Sequence, residues 1–155
     1  MTAPLRLERS VNVRVSQDRA FRVWTEQVGL WWPPGHSATG EPGARMAFEA
    51  GVGGRLLETA PSGRLESWGE ITRWDPPNTL AYTFFAGAPP GQPSQVEVTF
   101  QAVAPTLTRV LVTHRPGALP AEAWTGTVKG FVAGWAAALP SFASFIHESP
   151  SPEPS

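Results

Sequence analysis

The side chains that could carry out chemistry are three histidines and a few glutamates on strand-like segments. His114 shares its alternation with Val110 and Val112, so it faces the interior if these valines do. A buried imidazole needs a hydrogen-bond partner. The glutamates on other strand-like segments are the candidate partners, namely Glu49, Glu58 and Glu70.

A histidine that faces a glutamate in an apolar pocket can act as a general base or orient a ligand. His114, Glu70 and Glu49 are therefore the candidate catalytic residues. The alternative is a hydrogen-bonded structural histidine, which is the commoner role of such a residue. Because the chain has no Cys and no closely spaced ligand pair such as His-x-x-x-His, we predict neither a metal site nor a cofactor.

Aromatic residues are the second notable group, with 7 Trp, 8 Phe and 1 Tyr. Such rings either fill a core or line an apolar pocket, and the sequence leaves both alternatives open. The predicted ligand-binding set combines aromatic and polar residues: Trp31, Trp32, His36, Glu49, Trp68, Glu70, Phe84, Phe100, His114, Phe131 and Trp135.

Length and charge narrow the class of protein. A chain of 155 residues with 41% hydrophobic residues is enough for one core, so we predict one domain at 1–147 and a disordered Pro- and Ser-rich tail at 148–155. The net charge of -1, without a basic cluster, argues against nucleic acid as a partner. No membrane span or leader is predicted, so we expect a cytoplasmic protein.

Hydrophobic periodicity predicts an α+β fold of about seven antiparallel strands joined by short turns, with a short helix after the first strand and a long helix last. The predicted strands are 5–15, 44–50, 55–59, 65–74, 80–84, 96–102 and 107–115, and the helices are 16–27 and 121–146.

The last helix carries an aromatic stripe that includes Phe131 and Trp135. Its other face contains Gly126, Gly130 and Gly134, and this small-residue surface suggests a homodimer contact. One face is therefore predicted to meet the sheet, and the other a second subunit.

Several short motifs resemble those of the START and birch-pollen-allergen superfamily, also called SRPBCC, in its branch named for activators of the 90-kDa heat-shock-protein ATPase. The motifs follow the family order along the chain: Trp31-Trp32-Pro33, His36-Ser37, Gly53-Gly54-Arg55 with Glu58, Trp68-Gly69-Glu70-Ile71, Trp74-Asp75-Pro76-Pro77, Val96-Glu97-Val98-Thr99-Phe100, Thr113-His114-Arg115 and Gly134-Trp135.

This resemblance implies a helix-grip fold, in which a curved sheet and the last helix enclose an apolar tunnel. Members bind lipids or other small hydrophobic molecules there, and some catalyse cyclisation or hydrolysis. The leading hypothesis is binding of a small hydrophobic ligand. The alternatives are a cyclase or hydrolase that uses a His–Glu pair, and a partner that regulates a chaperone ATPase.

Overall fold

The computed structural model describes residues 6–33, 40–85 and 91–148. Within these ranges, one antiparallel sheet has the strand order β1-β7-β6-β5-β4-β3-β2. The strands are β1 (Leu7–Val13), β2 (Arg45–Phe48), β3 (Arg55–Thr59), β4 (Leu65–Asp75), β5 (Thr79–Phe84), β6 (Ser94–Ala104) and β7 (Leu107–Arg115). The helices are α1 (Gln17–Glu26), α2 (Val28–Trp31) and α3 (Ala121–Glu148).

The sheet curls around α3, which confirms the predicted α+β helix-grip fold. Residues of even number face inward on β5, β6 and β7, where Tyr82, Val98 and Val112 are all buried. The aromatic stripe of α3 packs onto this concave surface, and the side chains of Phe131 and Trp135 are buried. The apolar contact between sheet and helix therefore forms the core of the protein.

Among the described residues, α3 is long and apolar enough to cross a membrane by length and composition. Its aromatic stripe is buried against the sheet, although only 33% of this apolar window is buried. At its end, the Nε2 atom of His147 accepts a hydrogen bond from the Arg14 backbone N at 2.9 Å. The helix is thus tied to the chain just after β1.

Helix α1 begins where the sequence predicts a cap. The Oγ atom of Ser16 accepts a hydrogen bond from the Arg19 backbone N at 3.2 Å, which satisfies one of the free donors of the first turn. The helix buries Phe21 and Trp24 against the sheet. The predicted helix at 16–27 is therefore confirmed, and α2 follows it directly.

Strand β4 alternates imperfectly because it contains a β-bulge. Leu56 pairs with Gly69 and Leu57 pairs with Ser67, so Trp68 is an extra residue between two pairings. A Cβ atom on Gly69 would lie 1.8 Å from the carbonyl oxygen of Thr83, so only glycine permits this close approach of β5. As a result, Trp68 and Gly69 are both buried although they are adjacent.

The predicted strands agree with the observed strands to within a few residues, and α3 extends two residues beyond its predicted end to Glu148. Two predictions fall outside the described residues. These are the ligand-binding role of His36 and the disorder of the tail from residue 149.

Candidate functional site

His114 lies in the middle of the interface between the sheet and α3. Its side chain is fully buried, and it pairs across the sheet with Leu7 of β1 and Val96 of β6. The ring of Phe131 from α3 lies 4.3 Å from the imidazole, measured between centroids. Phe84, Trp124 and Trp135 complete the enclosure at centroid distances of 5.2, 5.6 and 6.2 Å.

Both ring nitrogens of His114 are hydrogen-bonded. The indole Nε1 of Trp135 donates to Nδ1 at 3.1 Å, and the Oγ atom of Ser94 lies 2.7 Å from Nε2. Because an indole N–H can only donate, Nδ1 must carry the lone pair, and the proton of the neutral ring is on Nε2. Nε2 therefore donates to Ser94, whose hydroxyl donates to the Phe84 carbonyl oxygen at 3.3 Å.

This chain of hydrogen bonds limits the chemistry of His114. Burial lowers the pKa of the imidazole to about 3, so it is neutral near pH 7. A general base needs a free lone pair, and the lone pair at Nδ1 is occupied by the indole of Trp135. Activation of the Ser94 hydroxyl would require the other tautomer, which has a proton on Nδ1 and is incompatible with that bond. The geometry favours the structural role of His114.

A second buried ionisable residue lies on β3. Glu58 is fully buried, and its Oε1 accepts a hydrogen bond from the indole Nε1 of Trp68 at 3.0 Å. The bulge at Trp68 directs this indole toward the concave side of the sheet. A carboxylate can accept about four hydrogen bonds, whereas both ring nitrogens of His114 are engaged.

Four aromatic rings connect these two polar residues in a closed cycle, which we call the aromatic box: Trp32, Trp68, Phe84 and Trp135. Consecutive centroids are 5.5, 5.6, 6.4 and 6.4 Å apart around the cycle. Trp68, Phe84 and Trp135 are buried, whereas Trp32 is only half-buried. The box therefore meets solvent at Trp32, with Glu58 bonded to one wall and His114 to another.

The predicted pairing of His114 with Glu49, Glu58 or Glu70 is not present. Glu49 and Glu70 are exposed, while the ring nitrogens of His114 bond to Ser94 and Trp135. Glu49 accepts from Nε of Arg55 at 3.0 Å, and this hydrogen bond lowers the pKa of its carboxyl group. Glu49 thus links the end of β2 to the start of β3 through Arg55. Of the three candidate glutamates, only Glu58 has a buried side chain.

The remaining predicted residues fall into two groups. Phe84, Phe131 and Trp135 surround His114, and Trp32 and Trp68 belong to the aromatic box. Trp31 and Phe100 instead pack on either side of Trp24, at centroid distances of 4.6 and 6.1 Å, on the side of the core that faces α1.

Ser94 and Glu58 were not in the predicted ligand-binding set, although Glu58 was one of the candidate partners of His114. Both follow the inward alternation of their strands, Glu58 with Leu56 and Ser94 with Val96. Because side chains two residues apart on a strand face the same side, the positions of Leu56 and Val96 would have identified Glu58 and Ser94 as buried polar residues. Within the described residues, no three His, Cys, Asp or Glu side chains come together as a metal site would require.

Two surface grooves accompany these buried groups. A groove of about 570 Å³ lies between α1 and the β2 end of the sheet, with Phe21, Phe48 and Trp74 in its lining. Another, of about 390 Å³, lies between β1 and α3 beside Leu7 and Val128. The first has the size of a small-molecule site, and a binding experiment must distinguish it from the aromatic box.

Comparison with solved structures gives close agreement in fold. Txn09, described as an anthrahydroquino-gamma-pyrone synthase complexed with SUM, is 31% identical, with a TM-score of 0.63 over 92% of this chain and 97% of that one. PFC0360w, an HSP90 activator from Plasmodium falciparum, is 19% identical, with a TM-score of 0.66 over 95% and 99% of the two chains.

Protein Ms6760 from Mycobacterium smegmatis is 20% identical, with a TM-score of 0.63 over 92% of this chain and 91% of its own. A search of curated proteins found no match. The sequence model of the family described as activator of Hsp90 ATPase homolog 1-like protein matches residues 14–147. The chain therefore belongs to the activator of Hsp90 ATPase homolog 1-like family, within the SRPBCC superfamily predicted from its motifs.

Proposed function

We propose that the protein binds a small hydrophobic molecule between the sheet and α3, at the aromatic box. The observation that carries this proposal is Glu58, a carboxylate that is fully buried yet bonded to one wall of the box. Burial of an ionisable group costs stability, and such groups are concentrated at functional sites. The aromatic walls supply apolar contact, and Glu58 orients the ligand.

In this proposal His114 acts indirectly. Its bonds to Trp135 and Ser94 fix the indole that forms one wall, and its ring supports Phe84. His114 is thus a positioning residue, whereas Trp32, Trp68 and Glu58 contact the ligand. Glu49 and Glu70 are exposed and take no part.

Native mass spectrometry of the freshly purified protein tests the proposal, because a buried hydrophobic ligand often remains bound. We expect an added mass that Trp68→Ala reduces and that Trp74→Ala, in the groove beside α1, leaves unchanged. If the protein is ligand-free and also fails to bind the neutral fluorescent probe N-phenyl-1-naphthylamine, the proposal is wrong. If Trp74→Ala alone abolishes binding, the ligand occupies the groove instead.

Cyclisation of an aromatic substrate is the second candidate function, and the 31% identity to an anthrahydroquino-gamma-pyrone synthase favours it. Because both nitrogens of His114 are engaged, Glu58 is the residue that would exchange a proton with the substrate. Chromatography with mass spectrometry of an anthrahydroquinone substrate should then show a product that Glu58→Gln no longer forms. Equal product from both proteins would exclude this role of Glu58.

A role with a chaperone remains a hypothesis that rests on the family description and on the similarity to PFC0360w. An unchanged ATPase rate of a cognate Hsp90 on addition of the protein would contradict it.

We also propose a cytoplasmic location and a homodimer. A Cβ atom on Gly126, Gly130 or Gly134 would meet nothing within 4 Å, so this face of α3 has room for a second subunit. Sedimentation equilibrium that shows only monomer would contradict the dimer.

A further inference from the structure

We propose that the groove between β1 and α3 is a second binding site, which takes the alkyl chain and the carboxylate of a free fatty acid. The groove has a volume of about 390 Å³, within the range of small-molecule sites. Its lining comes from residues 6–9 and from Val128, Lys129 and Val132 of α3. Both the site and the ligand differ from those of the aromatic box, so the inference does not depend on the proposed function.

The floor of the groove is apolar and recessed. Leu7 and Val128 are 4% and 9% exposed, and Val132 is half-buried in the same lining. An alkyl chain that covers these side chains removes apolar surface from water, which favours binding. The exposed neighbours on α3, such as Gly126 and Gly130, have no side chain that could insert into a bilayer. A single chain that enters the groove therefore fits this surface better than a membrane does.

The rim of the groove carries an excess of positive charge. The lining includes Arg6, Arg9 and Lys129 and one acid, Glu8, whose Oε1 lies 3.1 Å from Nε of Arg6. Two positive charges thus remain at the groove, although the net charge of the protein is -1. Lys129 is also the only charged residue of α3 within 123–146. A carboxylate is the group that such a rim attracts.

The edge of β1 disfavours a peptide as the occupant. A peptide that adds a strand to a sheet bonds to the free backbone groups of an edge strand. On β1, Nη1 of Arg9 donates to the backbone carbonyl oxygen of Glu8 at 2.7 Å, and charged side chains at an edge oppose the addition of a strand. A guanidinium has five N–H donors, so Arg9 keeps others for a carboxylate. The side chains of the groove, rather than its backbone, therefore contact the ligand.

Titration with octanoate and with its neutral analogue 1-octanol tests the site, followed by the methyl signals of Leu7, Val128 and Val132 in a ¹³C-correlated NMR spectrum. We expect octanoate to shift these signals and to bind at least about fivefold more tightly than 1-octanol. Higher ionic strength should weaken the binding of octanoate and leave that of 1-octanol unchanged, because salt screens exposed charges. Equal affinity for the two molecules would overturn the inference.

Arg9→Gln and Lys129→Gln should each weaken the binding of octanoate about threefold, because each removes one exposed charge from the rim. Arg45→Gln is the matched control, since Arg45 is an exposed arginine on β2, the strand at the other edge of the sheet. It should leave the affinity unchanged. Equal losses in the three variants would show a general effect of net charge and would overturn the site.

Three outcomes separate this inference from the alternatives. If octanoate shifts the indole signals of Trp32, Trp68 and Trp135 instead of the methyl signals, the acid occupies the aromatic box, which overturns the inference and supports the proposed function. If phosphatidylglycerol vesicles bind the protein in sedimentation and octanoate does not, a membrane surface is the partner and the inference is wrong. If octanoate shifts the methyl signals but N-phenyl-1-naphthylamine does not bind, the inference is supported and only the proposed function is contradicted.

Discussion

The aromatic interior has two parts that differ in polarity. On the side of α1, the core part consists of Trp24, Trp31, Phe100 and Phe142, all of them 2% exposed or less. On the side of β3 to β7, the polar part consists of the aromatic box, Glu58 and the hydrogen-bonded group of His114, Ser94 and Trp135. Both parts are densely aromatic, but among the described residues the fully buried carboxyl and imidazole groups, Glu58 and His114, both belong to the second.

The core part stabilises the fold by packing, whereas the polar part is where we propose that the ligand binds. Ring contacts such as Trp24–Phe142, at a centroid distance of 5.1 Å, stabilise the fold through apolar burial alone. Glu58 and His114 would destabilise the fold without hydrogen bonds, and both have them: Glu58 with Trp68, and His114 with Trp135 and Ser94. Aromatic content by itself is therefore a poor guide to the site, and buried polarity within it is a better one.

The core part should show the largest effect on stability. We expect Phe142→Ala to lower the free energy of unfolding by about 3–5 kcal/mol, because it leaves a cavity among Trp24 and Trp31. Urea denaturation measures this loss. Phe145→Ala, at a half-buried position on the same helix, is the matched control and should cost less. Equal costs would show that the core part is not the better packed region.

The polar part should show its effect through pH. In the unfolded chain His114 binds a proton below about pH 6.5, whereas in the folded protein it does so only near pH 3. The unfolded state therefore binds more protons between these values, and stability falls as pH decreases from about 6.5. Between these pH values the contribution of His114 is about 1.4 kcal/mol per pH unit, measured by urea denaturation at each pH.

His114→Gln should remove the contribution of His114 to the pH dependence of stability. The glutamine amide does not titrate, but it can still accept a hydrogen bond from Trp135 and donate one to Ser94. Carboxylates contribute equally to both proteins, so only the difference between the two pH profiles is compared. An identical slope in the variant and the wild type would contradict a buried, neutral His114.

The exposed glutamates should show the smallest effects. Glu70→Gln and Glu49→Gln are each expected to change the free energy of unfolding by less than about 1 kcal/mol, because an exposed ion pair such as Glu49–Arg55 contributes little. Neither should alter ligand affinity in calorimetric titration. A tenfold loss of ligand affinity in either variant would show that the substituted glutamate belongs to the binding site.

Much of the fold followed from the sequence, because period-two alternation and turn residues identify antiparallel strands directly. The site was harder to predict. The alternation of His114 with Val110 and Val112 predicted that it would face the same side as these valines, and all three are buried, but its hydrogen-bond partners were not predicted. The hydrogen-bond partners of a buried polar residue depend on the register of neighbouring strands and on bulges. The bulge at Trp68, for example, brings its indole to Glu58. The local sequence pattern determines neither the register nor the position of a bulge.

The most direct test of the account is the set of indole N–H signals in a ¹⁵N-correlated NMR spectrum, since the 7 Trp residues sample the box, the core part and the groove. Titration with the neutral probe N-phenyl-1-naphthylamine is predicted to shift the signals of Trp32, Trp68 and Trp135 while those of Trp24 and Trp31 stay in place. Shifts confined to Trp24 and Trp31, or to Trp74, would contradict the assignment of ligand binding to the polar part.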